Sequence, residues 1–275
     1  MPRARNGEIE IAYETFGTES DPPLILLHGL GSSMLVWNEE MCAGFVDRGF
    51  LVLRMDHRDS GLSTVLSDGT RYTLDDMAGD MVAVLDAAGC DRAIVCGYSL
   101  GGMVAQAAAA AFADRVAGLV SVSSNTGEPG VGDPTPEALA ALTSPPATTI
   151  EAQIESDLVG YRIWSNPDWR NEQAEREYLE RSYLRAWHPG ASERQFKAAA
   201  RSGSRADALR SLDVPTLVIH GGGDTLIAPD GGRRTAELVA DAEYLEVDAM
   251  GHELPPQVWA PIISAVTALA ARIAW

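Results

Sequence analysis

The sequence predicts an α/β fold built on a mostly parallel, doubly wound sheet. Three observations carry that expectation. Short β-type runs alternate with helical patterns along the chain. Most of those runs are continuously apolar rather than alternating. At 275 residues, with 46% hydrophobic and 22% charged residues, the chain is long enough to bury a large core without disulfides or metal. Strands alternating with helices imply βαβ units, and continuously apolar strands imply a sheet covered on both faces.

The elements follow in order. Residues 8–16 alternate like an exposed strand. Residues 24–27, 50–53, 93–96, 116–122 and 217–219 are apolar runs of the buried-strand type. A helix is expected from Leu74, with Thr73 as its N-cap and Gly89 beyond its end. Residues 102–112 are alanine-rich and almost uncharged, which reads as a buried helix. The pattern breaks at 125: Gly127, Pro129, Gly130, Gly132, Pro134 and Pro136 make a loop-rich stretch. Residues 150–206 are helical, charged and aromatic, and hold Trp164, Trp169 and Trp187. The β-α alternation resumes beyond Arg210. This divides the chain into a core of residues 1–124 and 207–275 and a helical cap, or lid, of residues 125–206. In the last segment Trp259, Ile262, Ile263, Val266, Leu269 and Ile273 recur at helical spacing, the mark of a helix with one buried face. That stretch falls short of the ~20 apolar residues a membrane span needs.

Charge excludes several partners. The formal net charge is -18, and Lys197 is the one lysine. Such a chain repels nucleic acid and anionic membrane. Three scattered cysteines, Cys42, Cys90 and Cys96, form neither a disulfide framework nor a zinc site. Reduced thiols, and an N-terminus without an apolar signal segment, lead us to expect a cytoplasmic protein.

The chemistry concentrates at strand ends. Gly97-Tyr98-Ser99-Leu100-Gly101 joins an apolar strand to an alanine-rich helix. A sharp turn there lifts the serine hydroxyl from the sheet edge, so Ser99 is the candidate nucleophile. A serine hydroxyl needs an adjacent base, and the base needs an orienting acid. His252, after residues 244–247, is the candidate base. Asp224, after the run 217–219, is the candidate acid, with Glu128 or Asp133 as alternatives. The glycine-bearing turn His28-Gly29-Leu30-Gly31 follows another strand, and the backbone N–H groups of Leu30 and Leu100 are the expected oxyanion donors. His28, His57 and His220 read as structural. Trp37, Tyr98, Trp164, Trp187 and His188 are candidates for lining a substrate pocket, with the cap aromatics equally able to form the cap's own small core. Cys96 reads as an inert core thiol, and Arg58 as a partner in a buried ion pair.

With these landmarks the sequence resembles the α/β-hydrolase superfamily over essentially its whole length. Two stretches, Asp56-His57-Arg58-Asp59-Ser60-Gly61 and Met250-Gly251-His252-Glu253-Leu254-Pro255-Pro256, resemble the aclacinomycin methylesterase group. The resemblance implies an α/β-hydrolase fold with a helical cap, a serine esterase activity on a bulky apolar or polyketide-like ester, and no cofactor or metal. The expected partner is a small-molecule ester or lactone; the oligomeric state is not set by the sequence. The alternatives are a lactonase acting on a macrocycle or an acyl-homoserine lactone, a cofactor-free perhydrolase or C–C hydrolase, and, in a different class, a ligand receptor on a hydrolase scaffold. A nucleophilic serine speaks against a dehalogenase or epoxide hydrolase, which place an aspartate there.

Overall fold

A computed structural model describes residues 1–275. Eight strands form one sheet: β1 (Arg3–Asn6), β2 (Ile9–Phe16), β3 (Pro23–Leu27), β4 (Leu51–Met55), β5 (Ala93–Tyr98), β6 (Val116–Val122), β7 (Thr216–Gly221) and β8 (Glu243–Val247). Their spatial order is β1-β2-β4-β3-β5-β6-β7-β8. The contacts from β3 onward are parallel, and β2 joins β4 antiparallel. Because β3 to β8 point the same way, the loops after β3, β5, β7 and β8 gather at one edge of the sheet. Ligand sites of open α/β sheets form along that carboxyl edge.

The continuous apolar strands follow from coverage on both faces. Along β3, Ile25 and Leu27 pack into one core with the helices α2 (Leu74–Ala87) and α3 (Leu100–Ala111). Leu24 and Leu26 point the other way, into a second core with α1 (Glu39–Val46) and α10 (Pro256–Ala270). Both faces are dry, so neither alternate position is polar. α2 begins where its cap dictates: the Thr73 side chain accepts from the Asp76 N–H while Asp76 reaches back to the Thr73 N–H. α10 buries Val258, Ile262, Ile263, Val266 and Leu269 and stops at Ala270, so residues 271–275 are not part of the helix expected over the tail.

Between β6 and β7 lie α4 (Pro136–Leu142), α5 (Ile150–Trp164), α6 (Glu172–Arg185) and α7 (Ala191–Ser202), followed by α8 (Ala206–Arg210); α9 (Pro229–Leu238) separates β7 from β8. α4 begins within the stretch read as loop-rich, at Pro136. Pro136 is the first helical residue, where a missing N–H costs nothing, and Thr135 caps it. α5 and α6 share a small core of Ile154, Leu158 and Leu179, with Tyr161, Tyr178 and Tyr183 packed against it. No helix is long and apolar enough to cross a membrane.

Candidate active site

β5 runs into α3 through Ser99, and the turn is forced. Ser99 has φ 57° and ψ -119°, a conformation that costs a residue with a side chain about 1–3 kcal/mol. Its neighbours make the close approach possible. A Cβ on Gly97 would overlap the Gly101 carbonyl, and one on Gly101 would overlap the Leu27 carbonyl at the end of β3. Main-chain bonds hold the turn: the Ser99 N–H donates to the Val122 carbonyl at 2.9 Å, and the Ser124 hydroxyl donates to the Ser99 carbonyl at 2.9 Å.

The loops after β7 and β8 deliver the two partners. His252 Nε2 lies 3.0 Å from Ser99 Oγ, and His252 Nδ1 lies 2.7 Å from Asp224 Oδ2. The other Asp224 oxygen accepts the N–H groups of Leu226 and Ile227 at 2.9 and 2.8 Å. His220 Nε2 donates to the Ile227 carbonyl at 2.9 Å and stands 3.5 Å from Asp224 Oδ2. Burial works to raise the Asp224 pKa, but the His252 and His220 imidazoles outweigh it and hold the carboxyl down at about 2. An ionised Asp224 can only accept. His252 Nδ1 therefore carries a proton, and Nε2 is left to accept from the Ser99 hydroxyl. Glu128 is instead paired with Arg234 at 3.0 Å, and Asp133 is exposed.

His252 is itself gripped from several sides. Its N–H donates to the Trp164 carbonyl at 2.7 Å. Its carbonyl accepts from the Tyr98 hydroxyl at 2.9 Å, and the two rings lie 5.2 Å apart. Burial raises the Tyr98 pKa well above the ordinary phenol value, so the hydroxyl stays a donor. Glu253 Oε1 accepts from the N–H groups of Asn166 and Gly251 at 3.1 and 3.3 Å. These contacts tie the end of α5 to the histidine loop. The sequence assigns no role to Glu253 or Asn166: Glu253 is marked only by its place beside His252 in the 250–256 stretch, and nothing marks Asn166.

The loop after β3 lies beside the serine. A Cβ on Gly29 would sit 3.3 Å from Ser99 Cβ and 3.4 Å from the Tyr98 ring. Leu30 follows at once. Leu100 is the first residue of α3, so its N–H has no acceptor within the helix. His28 braces this loop. Its Nδ1 donates to the Gly29 carbonyl at 2.8 Å and its Nε2 accepts the His57 N–H at 3.0 Å. Burial lowers the His28 pKa to about 4, which keeps the ring neutral.

The pocket candidates divide. Trp37 is fully buried in the second core with Met41, Cys42 and Phe45 of α1, so its ring packs as a core residue. His188 Nε2 is 2.9 Å from the Gly61 carbonyl, which assigns the ring to the 56–63 turn. Trp187 is half-buried beside it. Trp164 reaches the site through its carbonyl, while its ring packs over Gly160 and near Tyr161. Tyr98 acts on His252 as described.

The 56–63 turn carries buried charge. Arg58 pairs with Asp80 at 2.6 Å. Asp59 takes a two-pronged contact from Arg194 of α7 at 2.8 and 3.0 Å, together with the Tyr72 hydroxyl at 2.8 Å. Asp56 accepts the N–H groups of Met34 and Leu62, each at 2.9 Å. Arg185 at the end of α6 lies 2.8 Å from Asp56, at an angle that makes the contact Coulombic rather than a hydrogen bond.

A hydrogen-bonded serine, histidine and aspartate above the carboxyl edge of a parallel sheet is an arrangement that hydrolases use. The chain belongs to the alpha/beta hydrolase fold family, whose profile matches residues 22–256. It is similar to the rhodomycin D methylesterase of Streptomyces peucetius, with 29% identity over 96% of this chain and 95% of that protein. Among solved structures it is similar to the enol-lactonase of Burkholderia xenovorans LB400, with a TM-score of 0.75, 26% identity and coverage of 98% of this chain and 100% of the other. It is likewise similar to an esterase from Rhodococcus sp. ECU1013, with a TM-score of 0.78, 25% identity and coverage of 99% and 98%.

Proposed function

We propose that this α/β hydrolase cleaves a carboxylic ester with Ser99 as nucleophile, His252 as general base and acid, and Asp224 as the acid that orients the imidazole. The observation that carries the reading is the unbroken chain Ser99 Oγ, His252, Asp224, with 3.0 and 2.7 Å between partners. Ser99 Oγ attacks the ester carbonyl carbon while His252 Nε2 takes its proton. The N–H groups of Leu30 and Leu100 receive the negative oxygen, a contribution worth ~10²–10³ in turnover per donor. The imidazolium, stabilised by Asp224, gives its proton to the leaving alcohol as the C–O bond breaks. Water then attacks the acyl-serine with His252 again as base, releasing the acid and restoring Ser99.

In this reading residues 125–206 form the cap, which meets the catalytic loops where the Trp164 carbonyl accepts the His252 N–H at 2.7 Å and where the Tyr178 hydroxyl meets Ser32 Oγ at 2.6 Å. The similarity to a methylesterase supports a methyl ester on a bulky apolar or polyketide-like acid. The test is product mass after incubation with an aromatic polyketide methyl ester, a macrolide, an acyl-homoserine lactone and a short p-nitrophenyl ester, with Ser99→Ala alongside. Serine-dependent loss of one methylene unit from the polyketide is expected. Gain of one water by a lactone would move the substrate class to cyclic esters with the same machinery. Activity retained in Ser99→Ala would refute the nucleophile.

A further inference from the structure

We propose that Gln195, on α7, is a positioning residue for the oxyanion loop: the helices between β6 and β7 set the placement of the Leu30 N–H through it. This rests on the reading above, in which Leu30 and Leu100 receive the oxyanion.

Gln195 is 0% exposed, and every bond its amide makes is to the core. Its Oε1 accepts the Gly31 N–H at 3.0 Å. Its Nε2 donates to the Arg58 carbonyl and to Ser60 Oγ, each at 2.9 Å. The orientation is dictated by the partners, since an N–H must face the oxygen and a carbonyl must face the NH₂. One side chain therefore locks the β3–α1 loop to the 56–63 turn. The bond falls on the peptide just after Leu30. Gly31 has φ +64°, and a Cβ there would stand 3.1 Å from Ser192 Cβ, so α7 also abuts the loop sterically.

The next two residues are held by α6. Ser32 Oγ meets the Tyr178 hydroxyl at 2.6 Å, and Ser33 Oγ meets Ser182 Oγ at 3.1 Å. On the other side of Leu30, the core holds Gly29 through His28, at 2.8 Å. Leu30 thus sits between the core's hold on Gly29 and three successive contacts to the helices, at Gly31, Ser32 and Ser33. A backbone N–H aimed at an oxyanion must be preorganised to within a fraction of an ångström to count. Part of that preorganisation comes from α6 and α7, and Gln195 makes the helical bond nearest to Leu30.

The test is Gln195→Met, which keeps length and bulk but removes the acceptor for Gly31. On the p-nitrophenyl ester, kcat should fall ~10–100-fold with KM within ~3-fold, because the lost interaction is made only in the transition state. Affinity for a trifluoromethyl ketone, which forms a tetrahedral adduct, should fall in parallel. A merely structural role would lower Tm without that split. Ser60→Ala, which removes a partner of the amide nitrogen and spares the bond to Gly31, should leave kcat within ~3-fold. If Gln195→Met does not fold, Gln195→Leu, which removes the same acceptor with a smaller apolar side chain, carries the test, with kcat again expected to fall ~10–100-fold at constant KM. Unchanged kcat in Gln195→Met (or in Gln195→Leu, where that carries the test), or an equal loss in Ser60→Ala, overturns the proposal. Ser99→Ala, run in parallel, separates the failures: activity there overturns the nucleophile reading instead.

Discussion

Replacing Glu175 by glutamine should stabilise the protein in alkaline solution and leave it unchanged in acid. The Glu175 side chain, on α6, is 15% exposed, and its nearest cation, Arg170 Nε, stands 4.0 Å away. Its Oε2 is buried with no hydrogen-bond partner. Burial raises its pKa from 4.5 to about 7. Between those two values the unfolded chain has released the proton and the folded chain still holds it, so stability falls as pH rises through this window. The shift, from 4.5 to about 7, is worth about 3 kcal/mol at 1.36 kcal/mol per unit. Glutamine cannot ionise and escapes the whole penalty. Urea unfolding followed by tryptophan fluorescence should give stabilities within about 0.4 kcal/mol of each other at pH 4.5, the carboxyl's ordinary value. Glu175→Gln should then gain, reaching about 3 kcal/mol at about pH 8. A gain of the same size at both pH values, or a larger gain in acid, would refute the reasoning, because it would show that packing and not ionisation separates the two proteins.

The strained turn at Ser99 yields a second expectation. Ser99→Gly should abolish turnover and raise stability by about 1–3 kcal/mol, since glycine accepts the positive φ without cost; a lower Tm would contradict the strain. Asp224→Asn should cut kcat by ~10⁴ by presenting His252 with the wrong tautomer, by analogy with the serine-protease triad. A loss under tenfold in single-turnover kinetics would remove Asp224 from the orienting role.

Much of this architecture was legible because its causes are local. Buried parallel strands leave continuous apolar runs, and the serine, aspartate and histidine each sit just past such a run or a strand end, at glycine-marked turns. What escaped has physical causes too. β1 holds one buried residue, Ala4, and exists because its backbone pairs with β2 rather than through any apolar pattern. α4 hid behind Pro134 and Pro136, which signal loop until one of them proves to be the first helical residue. Trp37 follows the loop after β3 by a few positions, which suggests a pocket wall, yet it packs in the core with Met41, Cys42 and Phe45 of α1. Gln195 left no trace in the sequence, since its three partners lie 135 to 164 positions away and a lone glutamine on a helix looks like solvated surface.

Two arginines, the last residue of α6 and one in the first turn of α7, bear on how freely this scaffold can exchange parts. Arg185 and Arg194 are the cationic partners of Asp56 and Asp59, carboxylates whose side chains are fully buried at the sheet's edge. Grafting a helical segment without these arginines would leave two negative charges covered but without a cation, and removing one partner of a buried pair costs about 3–5 kcal/mol. The core and its helices are therefore not interchangeable modules. A chimera must carry positions 56 and 59 together with the incoming helices, and lineages that diversified this segment are expected to have altered those aspartates in step with it.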